Sequence, residues 1–526
     1  MANLQWKTRR FIFPAAILLA LFLTIRTQSQ SVGQSQSWSN PISMGTGWFP
    51  DIASDLSGRL HLAWSYVAFP ETSAIPPDPT LDLPQGYDTV LYRQSTDGGV
   101  TWTDANDVIA RAQTGTGGRG SAVTRPALFI DKNGILHMTF EAALVYYTYV
   151  SSDQATLATA WAQPEQISVN QQGYFSRMVI DSRWVYHMFF TENSPSPNCP
   201  ICYHLFYRQS TNYGMDWSIR TDISSFDTGA AKPQILVDHK ENMHVVWESG
   251  QGGALGQVTD PTKVMYSASY DGGASWSFPT ELNLPDKDGK NITIGEDANG
   301  DLVAVWLNMP DDTIYYRVSH TEGHTWLNPE QITGVLGGYS LYPARLDTYS
   351  MAADSQGNLH LIMIGRISGQ QPNLDLLHLV WDGQSWSPPE VIKSFNGDVP
   401  EWPRAAILNG NELNVTWFVR PQDHIWDADP SYYTVWFSQR TLNVPALPTV
   451  EMFTLTPTQT RLMLPTLTPV GTPTPLSQAA LLTPIMDSAS QSIYTDMDEV
   501  KMILLALVPG VIIMLIVFWV SRMRRG

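Results

Sequence analysis

Ser269-Tyr-Asp-Gly-Gly-Ala-Ser-Trp276 has three relatives in this chain: Ser95-Thr-Asp-Gly-Gly-Val-Thr-Trp102, Ser319-His-Thr-Glu-Gly-His-Thr-Trp326 and the looser Ser210-Thr-Asn-Tyr-Gly-Met-Asp-Trp217. A tight turn needs a short side chain that accepts backbone N–H bonds, a glycine where φ is positive, and an aromatic to pin the hairpin. The spacing therefore assigns Ser95, Asp97, Gly99 and Trp102, Ser210, Asn212, Gly214 and Trp217, Ser269, Asp271, Gly273 and Trp276, and Ser319, Gly323 and Trp326 to turn structure rather than to catalysis.

A second repeat precedes the first and sets the count. Each copy is an apolar strand, an Asp turn, and a strand that usually begins with His six residues after the Asp: Asp55 to His61, Asp131 to His137, Asp181 to His187, Asp238 to His244 and Asp354 to His360. Asp297 to Val303 keeps the register without the His, and a weaker seventh copy runs through Ile407 to Leu413. Tyr-rich third strands and Trp-led fourth strands follow, and four short strands in a repeat of about 50 residues mark a propeller blade. The chain thus reads as all-β, a seven-bladed β-propeller over residues 36–440, with six blades as the alternative. The seventh unit lacks a Trp-led strand, whereas Gln36-Ser-Trp-Ser-Asn-Pro41 matches Gln384-Ser-Trp-Ser-Pro-Pro389. The N-terminal strand is expected to complete the last blade, which removes exposed sheet edges.

The turn phrase resembles the Asp-box, Ser-x-Asp-x-Gly-x-Thr-Trp, of sialidase-like (BNR-repeat) β-propellers, and the resemblance covers roughly residues 36–440. It implies a ligand face formed by the loops between second and third strands and by the blade-to-blade connections. The long loops fall there: Ser65 to Thr89, Asn193 to His204, Ser249 to Thr262 and Arg420 to Ser431. Sialidases need three arginines for a substrate carboxylate, a Tyr–Glu nucleophile pair and an Asp acid/base, and guanidinium forks suit a carboxylate because they bind it bidentately. Arg125, Arg177, Arg345 and Arg404 sit at or just before innermost strands, Glu141, Glu192 and Glu248 close second strands, and Tyr174, Tyr342 and Tyr349 lie in blade-to-blade segments. The family's Arg-Ile-Pro signature is absent, with Arg125-Pro126 as an approximation. Two readings of the arginines stand together: an anion-binding floor, or salt bridges to acids such as Asp51 and Glu401.

Metal ligation needs three or four side chains converging on one point. The five registered histidines are instead spread over five blades, so no metal and no cofactor is assigned. Cys199 and Cys202, the only cysteines, form a CxxC without the helix of a redox motif or further zinc ligands, which favours a small disulfide.

The two ends read as membrane-directed. Lys7, Arg9 and Arg10 precede an apolar run from Phe11 to Ile25, so residues 1–30 form a signal peptide or a retained signal anchor. Residues 441–500 are rich in Thr and Pro and suit an extended stalk. Met502 to Val520 is an apolar run of transmembrane length, followed by a basic tail over residues 521–526. This layout puts the propeller outside the cell. All 49 acidic residues lie between positions 27 and 500, with 23 basic ones, so this stretch carries a net charge near −26. Such a surface repels phosphate backbones, and nucleic acid is excluded as a partner. An extracellular glycan or protein ligand is the expected partner, with an exo-glycosidase acting on acidic sugars as the alternative.

Overall fold

The computed structural model describes residues 37–67, 87–112, 123–169, 172–195, 202–224, 228–252, 257–341, 346–370, 372–425 and 430–450, with Pro197 and Cys199. Arg345, Tyr342, the N-terminal apolar run, the stalk beyond 450 and the 502–520 run lie outside them. No helix among the described residues is long and apolar enough to cross a membrane.

The fold is all-β and propeller-like. The described strands within 48–112, 124–166, 173–222 and 229–281 form one four-stranded antiparallel sheet per range. Residues 399–441 supply three strands of another, and Ile42–Thr46 is its fourth, pairing with Thr434–Thr441. The N-terminal segment therefore closes this sheet, but with Ile42–Thr46 as the paired strand, whereas Trp38, expected within the sheet, stands outside it. Trp38 lies just ahead of the strand and packs edge-on against His378, while the Ser39 N–H donates to the Gln439 carbonyl.

Where seven separate sheets were expected, the described strands give five four-stranded sheets and one of eight strands, residues 288–395. Its two halves join because Val335–Gly337 pairs with Gly365–Ile367. Gly337 faces Gly365 at this seam, and a Cβ on Gly365 would strike the Leu336 carbonyl, so the missing side chain is what lets the backbones meet. The innermost strand of each unit packs on the innermost strand of the next, and the last on the first.

Because a sheet lies on either side, second strands are buried on both faces rather than half-buried. Tyr186–Asn193 and Leu302–Met309 show this along almost their whole length. A large side chain nine residues after each turn Asp fills the space between sheets, among them Trp64, Trp247 and Trp306, all fully buried.

The turn motifs bond as their spacing predicts. In the first, Ser95 Oγ accepts the Gly99 N–H at 2.8 Å and Asp97 Oδ1 accepts the Thr101 N–H at 2.8 Å. Asn212 and Thr321 replace the aspartate in the two variant copies and accept the equivalent N–H groups of Asp216 and Thr325. The tryptophan does something the local pattern did not reveal: it packs on the preceding sheet. Trp217 meets Tyr147, Trp276 meets Tyr207 and Trp326 meets Tyr266, with centroids 5.0 to 5.7 Å apart.

Those tyrosines also receive the registered histidines. Nδ1 of His61, His137, His187 and His244 lies 2.7 to 2.8 Å from the hydroxyl of Tyr92, Tyr147, Tyr207 and Tyr266. The opposite ring nitrogen of each faces its turn aspartate at 3.1 to 3.6 Å. In the last copy His378 stands in for the tyrosine, its Nε2 2.9 Å from His360. Each histidine thus links its own turn to a neighbouring strand, and the turn motif of the next sheet covers that link.

This arrangement predicts acid lability. Burial pulls the pKa of His61, His137 and His187 below the ordinary 6.5, only partly opposed by Asp55, Asp131 and Asp181. Burial pushes Asp55, Asp181 and Asp354 upward, but hydrogen bonds from the turn and the histidine bring them below 3.8. For a histidine held neutral, stability is full above the unfolded value and is lost as pH falls; depressed carboxylates lose theirs further down. The melting temperature is therefore expected to be level above pH 6.5, to fall below it, and to fall again below 3.8. A melting temperature unchanged from neutrality to pH 5 would contradict this.

The first residues assigned to the stalk are not a free spacer. The Leu447 N–H donates to Asn409 and the Val450 N–H to Leu56, while Pro445 accepts from the Ser355 hydroxyl. Residues 442–450 thereby run across the turns of three units.

Candidate functional site

The innermost strands share one distortion. Phe49, Arg125, Phe175, Lys232, Asn291 and Trp402 have φ of 50, 47, 51, 51, 54 and 57°. At each, the pairing with the second strand slips. A non-glycine residue in the left-handed region costs about 1–2 kcal/mol. A bulge re-aims side chains, and here it brings two successive residue positions to the axis. The first is the strained residue itself; the second, two residues on, is Asp51, Arg177, Gln234 or Arg404 in the units that carry charge or amide there.

Three of the four predicted arginines meet at this point. Arg125 donates from Nη1 to Glu141 Oε2 at 2.6 Å, and its guanidinium lies 4.4 Å from the Phe49 ring centroid and 4.7 Å from that of Phe175. Arg404 donates to the Thr348 hydroxyl at 2.7 Å, with its Nε 3.6 Å from Asp51. Arg177 reaches the same Asp51 at 3.9 Å. Asp51 therefore pairs with the arginines as the salt-bridge reading expects. Glu401 does not: it binds Arg420 at 2.5 Å, because the bulge separates it from Arg404.

Glu141 and Glu248 join the cluster, whereas Glu192 does not. Glu141 also accepts the Phe175 N–H, and Glu248 accepts the Asn291 N–H at 2.8 Å. Glu192 instead binds Arg220 at 2.6 Å. The first two lie ten residues after their turn Asp, and Glu192 lies eleven after its own. One residue of offset puts a strand side chain on the other face.

Lys232, Asp347 and Trp402 are the members that sequence reasoning missed. Lys232 Nζ lies 3.2 Å from Glu248 and donates to the Asp347 carbonyl at 2.7 Å. Its signal was available: Lys232-Pro233 stands six residues before Asp238, as Arg125-Pro126 stands six before Asp131.

Burial shapes the titration of this cluster. It pushes Glu141 and Glu401 upward against the pull of Arg125 and Arg420, and drives Asp347 well above the carboxylate range with Glu401 adding to the effect. Arg404 is lowered to about 9 by burial and then by Arg177. Tyr174 is raised by burial, then by Tyr203 and Glu141, and Tyr349 is fully buried.

Between the two ring positions lies a cavity of about 10 Å³, lined by Arg125, Phe175, Ser176, Arg177, Lys232, Pro233, Gln234, Trp402 and Arg404. That is room for roughly one water molecule. Arg125 and Arg404 are 4% and 6% exposed, and the Arg177 side chain 20%. Nearer the start of the innermost strands, half-buried Trp48, Tyr174 and Tyr432 pack against the same apolar cluster. Of the long loops, residues 68–86, 253–256 and 426–429 lie outside the described residues. Cys199 and Cys202 are joined as a disulfide in another.

A family model described as a BNR repeat-like domain matches residues 84–344. Similar solved structures include a protein of unknown function from Dyadobacter fermentans, with 14% identity, 76% of this chain and 98% of that chain covered, and a TM-score of 0.44. A polysaccharide lyase of family PL25, an ulvan lyase, has 10% identity over 71% of this chain and 93% of that one, with a TM-score of 0.46. The NanB sialidase of Streptococcus pneumoniae has 11% identity over 78% and 71%, with a TM-score of 0.41. No curated protein matches the chain. The Asp-box turns and the family match over residues 84–344 together give the chain a BNR repeat-like domain built as a β-propeller-like ring of sheets.

Proposed function

We propose that this protein is a glycan-binding propeller that holds its ligand without hydrolysing it. The observation that carries the choice is the state of the Arg125, Glu141 and Tyr174 group. Arg125 and Glu141 are buried and engage each other. A phenol nucleophile needs its pKa lowered or a base free to take its proton, yet Tyr174 is shifted the other way. What stays accessible at that end is aromatic, Trp48, Tyr174 and Tyr432, beside the partly exposed Arg177. Amphipathic rings with one charged group suit a sugar, whose C–H faces stack on aromatics while its polar groups are held at the edge.

The eight-stranded sheet counts, in this reading, as two blades fused at the glycine seam, which makes the ring sevenfold. The closed cycle of innermost strands supports that count. The ring is carried outside the cell on the Thr/Pro-rich stalk by a membrane helix over Met502 to Val520. The apolar run with its basic flank supports this topology.

The purified protein should bind members of a glycan array and leave a fluorogenic sialoside intact. Turnover of the sialoside would replace binding with exo-glycosidase action, for which the nearness of Tyr174 to Glu141 is the favouring feature. Absence of binding across the array would remove the glycan reading. Protease added to intact cells should release the propeller into the medium; release only after lysis would refute the outside location.

A further inference from the structure

The axial cavity poses a question of charge that the glycan reading leaves unanswered. Four cationic side chains line it, Arg125, Arg177, Lys232 and Arg404, and no carboxylate does. Behind them stand three acids: Glu141 on Arg125, Glu248 on Lys232, and Asp51 shared loosely by Arg177 and Arg404 at 3.9 and 3.6 Å. The other two acids nearby are committed elsewhere. Glu401 is matched by Arg420. The Asp347 carboxylate holds the N–H groups of Thr348 and Trp402 and the amide of Asn291 and makes no ion pair with the four lining cations. The lining is thus left with one positive charge in excess.

Unused donors point the same way. Nε of Arg125 has no hydrogen-bond partner and Nε of Arg404 has only the long approach to Asp51 at 3.6 Å, although both side chains are more than nine-tenths buried. A buried N–H on a charged group is costly to leave unmade.

We propose that the axial cavity is a binding site for a single halide ion, chloride under ordinary conditions. A void of about 10 Å³ takes one atom of roughly water size, which suits a single-atom anion better than the several oxygens of sulfate or phosphate. One negative charge matches the excess. The walls contributed by Phe175, Pro233 and Trp402 are apolar, which favours a weakly hydrated anion over a strongly hydrated one. The ion would act as a structural pin among the innermost strands, and the inference stands independently of what the loop face binds.

The test is a halide titration of the full-length protein in detergent, moved from sodium gluconate into sodium chloride or bromide at constant ionic strength. Ligand that binds only the folded state raises the melting temperature, and a saturable rise of about 2 °C or more is expected with either halide. Crystals soaked in bromide should show an anomalous peak among Arg125, Lys232 and Arg404. Arg177→Gln removes the most exposed and most loosely paired of the four cations, and should fold yet lose the halide-dependent rise. Equal melting in gluconate and halide, or a cavity without an anomalous peak, overturns the proposal; so does an Arg177→Gln protein that responds to halide as the parent does. Should that variant fail to fold, the bromide peak in the unsubstituted protein decides.

Discussion

Arg125→Ala is expected to destabilise the propeller by about 3–5 kcal/mol, the range for removing one partner of a buried ion pair. Its guanidinium is bonded to Glu141 at 2.6 Å and enclosed by Phe49 and Phe175, so alanine would leave Glu141, 1% exposed, without its charge partner. The upward push that burial already exerts on Glu141 would then be unopposed by its main counter-ion, and the carboxyl would take up a proton. Charge and not only volume sets the loss. Arg125→Met combined with Glu141→Gln should therefore recover a large part of it, since an apolar or neutral replacement of both partners is often tolerated. Denaturant melts of the two single variants and the double variant check this. A single Arg125→Ala variant that melts like the parent and only loses ligand would assign Arg125 to the ligand, as the anion-floor reading of the sequence has it.

Gly323→Ala is expected to cost about 2–5 kcal/mol. Gly323 has φ +83°, and a Cβ there would collide with the hydroxyl of Tyr266. That hydroxyl lies 2.8 Å from His244, and its ring packs against Trp326, so the collision breaks a contact between sheets as well as a turn. Left-handed strain accounts for about 1–2 kcal/mol, and overpacking a filled site adds about 1–3 kcal/mol. Gly369→Ala separates these contributions: its φ is +79° but nothing lies within 4 Å of the added carbon. A thermal melt should show Gly323→Ala falling well below Gly369→Ala. Equal losses would mean that the Tyr266 contact contributes nothing and that the turn motif acts only within its own hairpin.

The sequence by itself determined what depends on neighbours along the chain. Ser, Asp or Asn, Gly and Trp at fixed offsets specify a hairpin because every bond they make closes within a few residues, as Ser95 to Gly99 and Asp97 to Thr101 show. The strand repeat and the match of residues 36–41 to 384–389 likewise foretold that the N-terminal segment closes the last sheet, though the paired strand is the next one along, Ile42–Thr46. More of the axial cluster was legible than was read: Lys232 repeats the Arg125-Pro126 pattern, and the one-residue offset of Glu192, grouped in the sequence with Glu141 and Glu248, marks it for the other face.

Only the tertiary structure decided how the charges pair and where the sheets merge. Asp51 lies between Arg177 and Arg404 because ring closure brings units from opposite ends of the chain to one axis, a contact that no local spacing encodes. The tryptophans reach the preceding sheet, and two units fuse where Gly337 meets Gly365, for the same reason. A side chain's type and periodicity fix which face of a strand it occupies. Which partner waits there is set by packing between segments far apart in sequence, and that packing turned the arginines of an apparent open floor into the buried lining of a cavity the size of one water molecule.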